Sequence, residues 1–206
     1  MCSSDMKSIY VFDFDGTLTY KDTLLEFIKY SKGTFRFIFG FLLFSPLLVL
    51  MKLHLYDNGK AKQQLFAFYF QGMSLTTFDT LCHDFARDKH VLFRPQAFQY
   101  LQSIKKQADQ ILVISASIDN WVRPFFSTIF SAEESFQVLG TKLEVRDGKL
   151  TGRFLTPNCY GQEKVNRLKQ VLNEPRQAYS IKAFGDSRGD KELLEYADQG
   201  HYKPFR

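Results

Sequence analysis

Three short, largely apolar runs punctuate the chain, at residues 9–12, 111–114 and 181–184. Each ends in small or acidic residues, at 13–17, 115–117 and 185–190. Runs of this length, apolar on both faces, predict strands buried in a parallel sheet. Between them the period changes to that of a helix. Phe78, Leu81, Cys82 and Phe85 recur at i, i+3, i+4 and i+7 behind a cap at Ser74 or Thr76. Pro95 opens a helix carrying Phe98, Leu101 and Ile104, and Gly161 precedes one carrying Val165, Leu168 and Val171 or Leu172. Residues 142–154 read as a β-hairpin turning at Asp147-Gly148. Strands alternating with helices predict an α/β domain with a Rossmann-like parallel sheet. Ligands of such sheets bind beyond the carboxyl ends of the strands, so the three clusters are expected to converge on one edge.

Residues 20–94 are too many for one crossover helix, and they carry several helical patterns and no strand. They predict a helical cap inserted over the strand ends. The catalytic core is then 1–19 with 95–206, the cap 20–94, and the hairpin a small flap. A chain of 206 residues, 45% of them hydrophobic, accommodates such a core with a modest insertion and excludes bulk disorder. Its aromatic content is 16%, with 22 Phe, many of them between positions 27 and 70. Residues 37–51 hold no charge. A bilayer span takes about 20 apolar residues, and this run is shorter and broken by Pro46, which argues against a transmembrane helix. Two readings remain. One is a buried cap helix or helical hairpin. The other is an interfacial segment within 35–55 that dips into lipid or lines a groove for acyl chains, with Arg36 and Lys52 meeting anionic headgroups. A small cap has little surface to bury so many Phe and Leu, which favours the second.

The formal net charge is +5 and the pI about 9.0, a balance suited to anionic substrates or surfaces. No Lys/Arg block stands out, and Lys105-Lys106 reads as a solvated helix end, so nucleic acid is not an expected partner. Cys2, Cys82 and Cys159 are odd in number and lack CxxC spacing, as incidental thiols of a reducing cytoplasm would be. The polar N-terminus runs straight into the first strand without a signal-peptide pattern. The expected location is therefore cytoplasmic, with membrane association under the interfacial reading.

Chemistry enters at Asp13-Phe14-Asp15-Gly16-Thr17. Carboxylates at i and i+2 of an extended segment point the same way, and Gly16 permits a sharp turn before a helix beginning near Asp22-Thr23. Such a pair divides labour: one attacks phosphorus, and the other gives a proton to the leaving oxygen and later takes one from water. Ser115 ends the second strand with a hydroxyl able to bond a phosphoryl oxygen, while Ser117 or Asp119 is placed to cap the next helix. Lys164 sits at a helix start, where the macrodipole favours acids, so its ammonium invites a functional reading. Asp186 and Asp190 follow the third strand, and Asp13 and Asp186 from two strand ends suit Mg²⁺, which takes few protein carboxylates plus water and phosphate.

Taken in order, Asp-x-Asp-Gly-Thr, strand-Ser, Lys and Gly-Asp-Ser-x-x-x-Asp make the chain resemble the haloacid dehalogenase (HAD) superfamily of phosphohydrolases. Within it, the resemblance is to subfamily IB, with the phosphoserine phosphatases and the C-type phosphatidylglycerophosphatases. It runs over residues 9–198 and is thin in the cap. It implies an Mg²⁺-dependent phosphomonoesterase with Asp13 as nucleophile and metal ligand. Asp15 would be general acid/base with its carbonyl on the metal, Ser115 and Lys164 would hold the phosphoryl oxygens, and Asp186 and Asp190 would complete the metal site. Ala116 and Ser117 stand where phosphoserine phosphatases have glycines, and Gly189-Asp190 where they have Asn-Asp. These departures weaken a phosphoserine assignment. The expected substrate is a phosphate monoester, with a phosphorylated lipid such as phosphatidylglycerophosphate set against a soluble metabolite. A phosphotransferase and a non-catalytic binding module are the remaining alternatives.

Overall fold

The computed structural model describes residues 6–53, 55–130 and 135–206. Strand β1 (Lys7–Phe12) leads through a tight turn into the helical segment α1 (Thr23–Lys52), α2 (Asn58–Phe70) and α3 (Leu75–Asp88). The chain returns through α4 (Pro95–Ile104), β2 (Gln110–Ile118), the short α5 (Asp119–Val122) and β3 (Phe136–Thr141). A hairpin of β4 (Leu143–Arg146) and β5 (Lys149–Phe154) follows, then α6 (Gln162–Val171), β6 (Tyr179–Gly185), α7 (Lys191–Tyr196) and β7 (Gln199–Tyr202). β1, β2, β3, β6 and β7 form one parallel sheet in the order β3-β2-β1-β6-β7, with β1 at its centre.

The register explains the convergence expected of the three clusters. Phe12 lies opposite Val113 on one side and Phe184 on the other, so the residues that follow all three strands emerge along one edge. Alternate residues cover both faces. Val11, Leu112 and Ile181 pack with Val165 and Leu168 of α6 and Leu193 of α7. Tyr10, Phe12, Val113 and Phe184 pack with Leu101 of α4 and the cap. The apolar runs of β1, β2 and β6 marked these strands in the sequence because both their faces are buried. β3 and β7 lie at the sheet edges; all four residues of β7 are exposed, and Gln137, Gly140 and Thr141 interrupt the apolar residues of β3, so neither has a largely apolar run.

The helix starts follow the sequence signals. Asp22 caps α1 at Leu24 N, Ser74 caps α3 at Thr77 N, and Gly161 precedes α6. α5 has no side-chain cap, since Ser117, expected there, points instead at Asp15. Asp147 and Gly148 both take positive φ, +49° and +70°, as the tight hairpin turn requires. The hairpin packs on the cap through Phe154 against Phe66, and Gly152 admits Ala67 where a Cβ would come within 2.8 Å.

The two crossings between core and insertion pair with each other: Tyr20 N donates to Leu92 O at 2.9 Å and Arg94 N to Leu18 O at 2.8 Å. α1 is broken at Gly33, where φ is +77°. Before the break its residues are core. Phe27 is fully buried, with the rings of Phe70, Phe78, Phe85 and Trp121 between 5.1 and 5.5 Å from its own. Trp121 belongs to α5, so Phe27 fastens cap to core.

After the break α1 is exposed. Phe35 is 84% accessible and Leu42 65%, with Phe39, Leu43, Val49 and Leu53 all above half. The buried-helix reading of this run therefore does not hold. Pro46 does not end the helix, because the hydroxyl of Ser45 donates to Leu42 O at 2.7 Å, the carbonyl that a backbone N–H at position 46 would have taken. As a result the helical stretch Thr23–Met51 is long and apolar enough to cross a membrane by length and composition, its most apolar 18 residues having a mean hydropathy of 2.0. The exposed part is nevertheless laid along the domain. Gly40 fits against Tyr69 of α2, the Tyr69 hydroxyl donates to Phe37 O at 3.1 Å, and Phe44 meets Phe68 at 5.4 Å. Arg36 is exposed, and the side chain of Lys52 lies outside what the structure describes.

Because four aromatic rings close on Phe27, Phe27→Ala is expected to cost about 3–5 kcal/mol of unfolding free energy. Denaturant titration checks this; a loss under about 1 kcal/mol would mean that the ring cluster does not hold the cap.

Candidate active site

The strand edge brings Asp13, Asp15, Lys164, Asp186 and Asp190 together. Asp13 continues the ladder of β1, its N–H donating to Phe184 O at 2.8 Å, which points its carboxylate out of the sheet edge. The chain then turns through Asp15 and Gly16. Gly16 has φ +79°, and a Cβ on it would lie 2.6 Å from a carboxylate oxygen of Asp186, so both conformation and space demand glycine.

Lys164 lies in the first turn of α6 and is 2% exposed. Its ammonium donates to Asp13 Oδ1 and to Asp190 Oδ1, both at 2.5 Å. Gly161 N donates to Gly189 O at 2.9 Å, which fixes the start of α6 against the Asp186–Asp190 loop and sets the lysine's reach. Burial pushes the Asp13 carboxyl up to about 7, with Lys164 pulling against it and Asp190 and Asp15 adding to it. For Lys164 burial works downward, but the two carboxylates outweigh it and hold the ammonium above its ordinary range. Asp190 is fully buried. Burial opposes its charge, yet Lys164 and the N–H groups of Ser187 and Asp186 keep it below the usual carboxylate value. Its Oδ2 accepts from Asp186 N, Ser187 N and the Ser187 hydroxyl at 2.9–3.0 Å, so both its oxygens are engaged. Asp186 is half-buried and raised by desolvation, with Asp190 adding to it and the guanidinium of Arg206, 2.5 Å away, opposing.

Asp15 is held from two sides. Its Oδ1 accepts from Thr23 N at 2.7 Å and the Thr23 hydroxyl at 2.6 Å; its Oδ2 accepts from the Ser117 hydroxyl at 2.6 Å and that of Ser115 at 3.3 Å. Hydroxyls turn between donor and acceptor, so this cradle serves an ionised or a protonated carboxyl. Trp121 Nε1 donates to the Thr23 hydroxyl at 3.1 Å, which continues the chain of bonds into the cap interface.

These groups line a cleft of about 410 Å³. Asp13, Asp15, Lys164 and Asp186 face it; so do Tyr20, Met51, Lys62 and Tyr160 from its rim. Ser115 and Asp190 do not: Ser115 lies beneath Asp15, with Ala116 at the wall, and Asp190 lies behind Lys164. Ligand atoms of Asp13, Asp186 and Asp190 fall within 4.8 Å of one another, but Asp190, expected among the metal ligands, has both oxygens taken by Lys164 and the Asp186–Ser187 loop, which leaves Asp13 and Asp186 as the carboxylates facing the cleft that suit a hard divalent cation. The sequence reading missed Thr23 and Ser117 as site residues. The Ser115-x-Ser117 spacing was the available signal for Ser117, since i and i+2 on a strand share a face. Thr23 looked like a helix cap.

A model of the haloacid dehalogenase-like hydrolases matches residues 10–195. The chain is 31% identical over 202 residues to the protein CicA of Caulobacter vibrioides, covering 96% of this chain and 86% of that one. A Bordetella pertussis protein of unknown function has a similar structure, with a TM-score of 0.76 at 20% identity, covering 92% of this chain and 86% of the other. A phosphoserine phosphatase from T. onnurineus superposes with a TM-score of 0.59 at 18% identity over 98% and 86% of the two chains. With the family model spanning nearly its whole length and the acidic cleft at the expected strand edge, the chain belongs to the haloacid dehalogenase-like hydrolases.

Proposed function

We propose that the protein is an Mg²⁺-dependent phosphomonoesterase that works through a phospho-aspartate on Asp13. We further propose that its substrate is a phosphorylated lipid such as phosphatidylglycerophosphate. The observation that carries the chemistry is the cleft in which Asp13, Asp15, Lys164 and Asp186 meet. In the first step an oxygen of Asp13 attacks phosphorus, the bond to the leaving oxygen breaks, and Asp15 gives that oxygen a proton. In the second Asp15 takes a proton from water, whose oxygen attacks phosphorus, releasing phosphate and restoring the Asp13 carboxylate. Lys164 offsets the charge of Asp13 and of the incoming phosphoryl oxygens. Ser115, expected to hold a phosphoryl oxygen, lies beneath Asp15 and off the cleft, so it would reach one only if Asp15 moved aside, and Asp190 keeps Lys164 and the Asp186 loop in place. Mg²⁺, held by Asp13 and Asp186 with the carbonyl of Asp15, would screen the approach of one anion to another.

The lipid reading draws support from where the apolar helix leads. Met51, near the end of the exposed half of α1, is itself a wall of the cleft. Acyl chains lying against Phe39, Leu42 and Leu43 would deliver a phosphorylated headgroup to Asp13. This half of α1 is tied at Gly33 to the cap core and along its length to α2, which favours lying in the interface over crossing it. The protein would then be a cytoplasmic enzyme in peripheral contact with the membrane through residues 35–55.

Asp13→Asn is expected to lower turnover of an aryl phosphate at least about a thousandfold, and near-normal turnover would exclude the phospho-aspartate. Asp15→Asn should be as severe with a poor leaving group and milder with a good one. Excess chelator should abolish phosphate release and added Mg²⁺ restore it, whereas Ca²⁺, with its larger and looser shell, should inhibit; full activity in chelator would sink the metal assignment. In cosedimentation with anionic liposomes the wild type should pellet, and the double variant Phe41→Asp, Leu42→Asp should stay in solution. That variant should lose lipid-phosphate turnover while its rate on a soluble aryl phosphate changes by less than about twofold. A wild type that ignores liposomes and prefers phosphoserine would overturn the lipid reading and leave the phosphatase intact.

A further inference from the structure

Arg94 stands where the chain re-enters the core from the cap, and it is 9% exposed. Among the described residues no carboxylate pairs with it. Its guanidinium is spent on backbone carbonyls: Nε donates to Thr19 O at 3.1 Å, Nη1 to Phe205 O at 3.3 Å and Nη2 to Gly16 O at 3.4 Å. The ring of Tyr20 covers its face, 4.5 Å from the guanidinium carbon. A buried cation without a counter-ion is costly unless its donors are satisfied. Two of its three carbonyls belong to the turn that follows β1, and that turn carries Asp15. The donors of a guanidinium are fixed in one plane, so the three carbonyls are held in a set relation that a lysine cannot reproduce.

We propose that Arg94 is a positioning residue for Asp15. It pins the carbonyl of Gly16, next to Asp15, and that of Thr19, at the outgoing crossing, to the returning crossing at its own position. The backbone of the turn is thereby fixed while Thr23, beyond the outgoing crossing, holds the Asp15 carboxyl from the cap side. Gly16 tolerates a range of backbone conformations, and the turn's own bonds, from Thr19 N to Phe14 O at 3.0 Å and from Gly16 N to the Thr19 hydroxyl at 3.2 Å, do not engage the Gly16 carbonyl that Arg94 holds. Asp186, 2.6 Å from where a Gly16 Cβ would be, leaves no slack on the other side. Arg94 can act in this way only if Asp15 is the proton donor of the reaction proposed above.

A displacement of Asp15 matters most when the leaving oxygen needs its proton, which gives a readout that a loss of general stability does not mimic. The test measures kcat and KM for a series of aryl and alkyl phosphates of rising leaving-group pKa, in wild type, Arg94→Gln, Arg94→Lys and Asp15→Asn. Arg94→Gln should lower kcat at least about tenfold with an alkyl phosphate and less than about threefold with p-nitrophenyl phosphate, with KM within about twofold. Arg94→Lys, which keeps the buried charge but loses the planar fork, should show the same dependence on leaving group at smaller size; it is the variant to read if Arg94→Gln does not fold. If Asp15→Asn depends on the leaving group and the Arg94 variants lose rate equally across the series, or change only KM, the positioning role is wrong. If Asp15→Asn itself shows no such dependence, the proton-donor reading of Asp15 has failed instead.

Discussion

The Lys164 ammonium, buried between Asp13 and Asp190, is the contact on which the rest of the site depends. Three carboxylates crowd the edge of the sheet, and without a cation among them burial and mutual repulsion would drive them toward neutrality. Lys164 offsets two of them at once. Through Asp190 it also fixes the backbone of Asp186 and Ser187, because the other oxygen of Asp190 collects those N–H groups. The position of the lysine depends in turn on Gly161, at φ +60°, and on the bond from its N–H to Gly189 O. A helix start that looks electrostatically misplaced is thus explained by the acids it faces.

The second constraint is mechanical. The cap is not a separate lid, because it supplies part of the Asp15 cradle. Thr23 opens the first cap helix, holds Asp15 with both backbone and side chain, and is itself held by Trp121 of the core. Phe27, one turn on, stacks against that same Trp121. The Asn120 amide adds a bond to Asp79 of α3 at 2.7 Å. Packing of the cap and placement of the acid are therefore one arrangement, and the aromatic richness of this half of the cap has a structural cause.

Within α1 beyond Gly33, Phe37 and Phe44 still pack on the core, but Phe35, Phe39 and Phe41 have no such cause within the fold. The same helix that begins at Thr23, beside Asp15, continues beyond Gly33 as an apolar surface and comes back to the cleft at Met51. An apolar surface of this extent marks a face that meets something other than water. Its continuity with the cleft wall is what joins the membrane reading to the chemistry.

The sequence by itself determined the α/β class, the three central strands, the starts of the main helices, the hairpin turn and the acidic cleft residues. Strands buried on both faces read as largely apolar runs, and caps and turns are set by local hydrogen bonding, so each leaves a local trace. Edge strand β7 left none because all four of its residues are exposed, and β3 left none because Gln137, Gly140 and Thr141 interrupt its apolar residues. Only tertiary structure decided that Ser117 and Thr23 serve Asp15, that Asp190 sits behind Lys164, and that Arg94 reaches Gly16, because these are bonds between segments far apart in the chain. The exposure of residues 35–53 was likewise decided there. Composition states how apolar a helix is, but whether another element covers it depends on how much of the cap is left once Phe27, Phe66, Phe70, Phe78 and Phe85 have packed on one another.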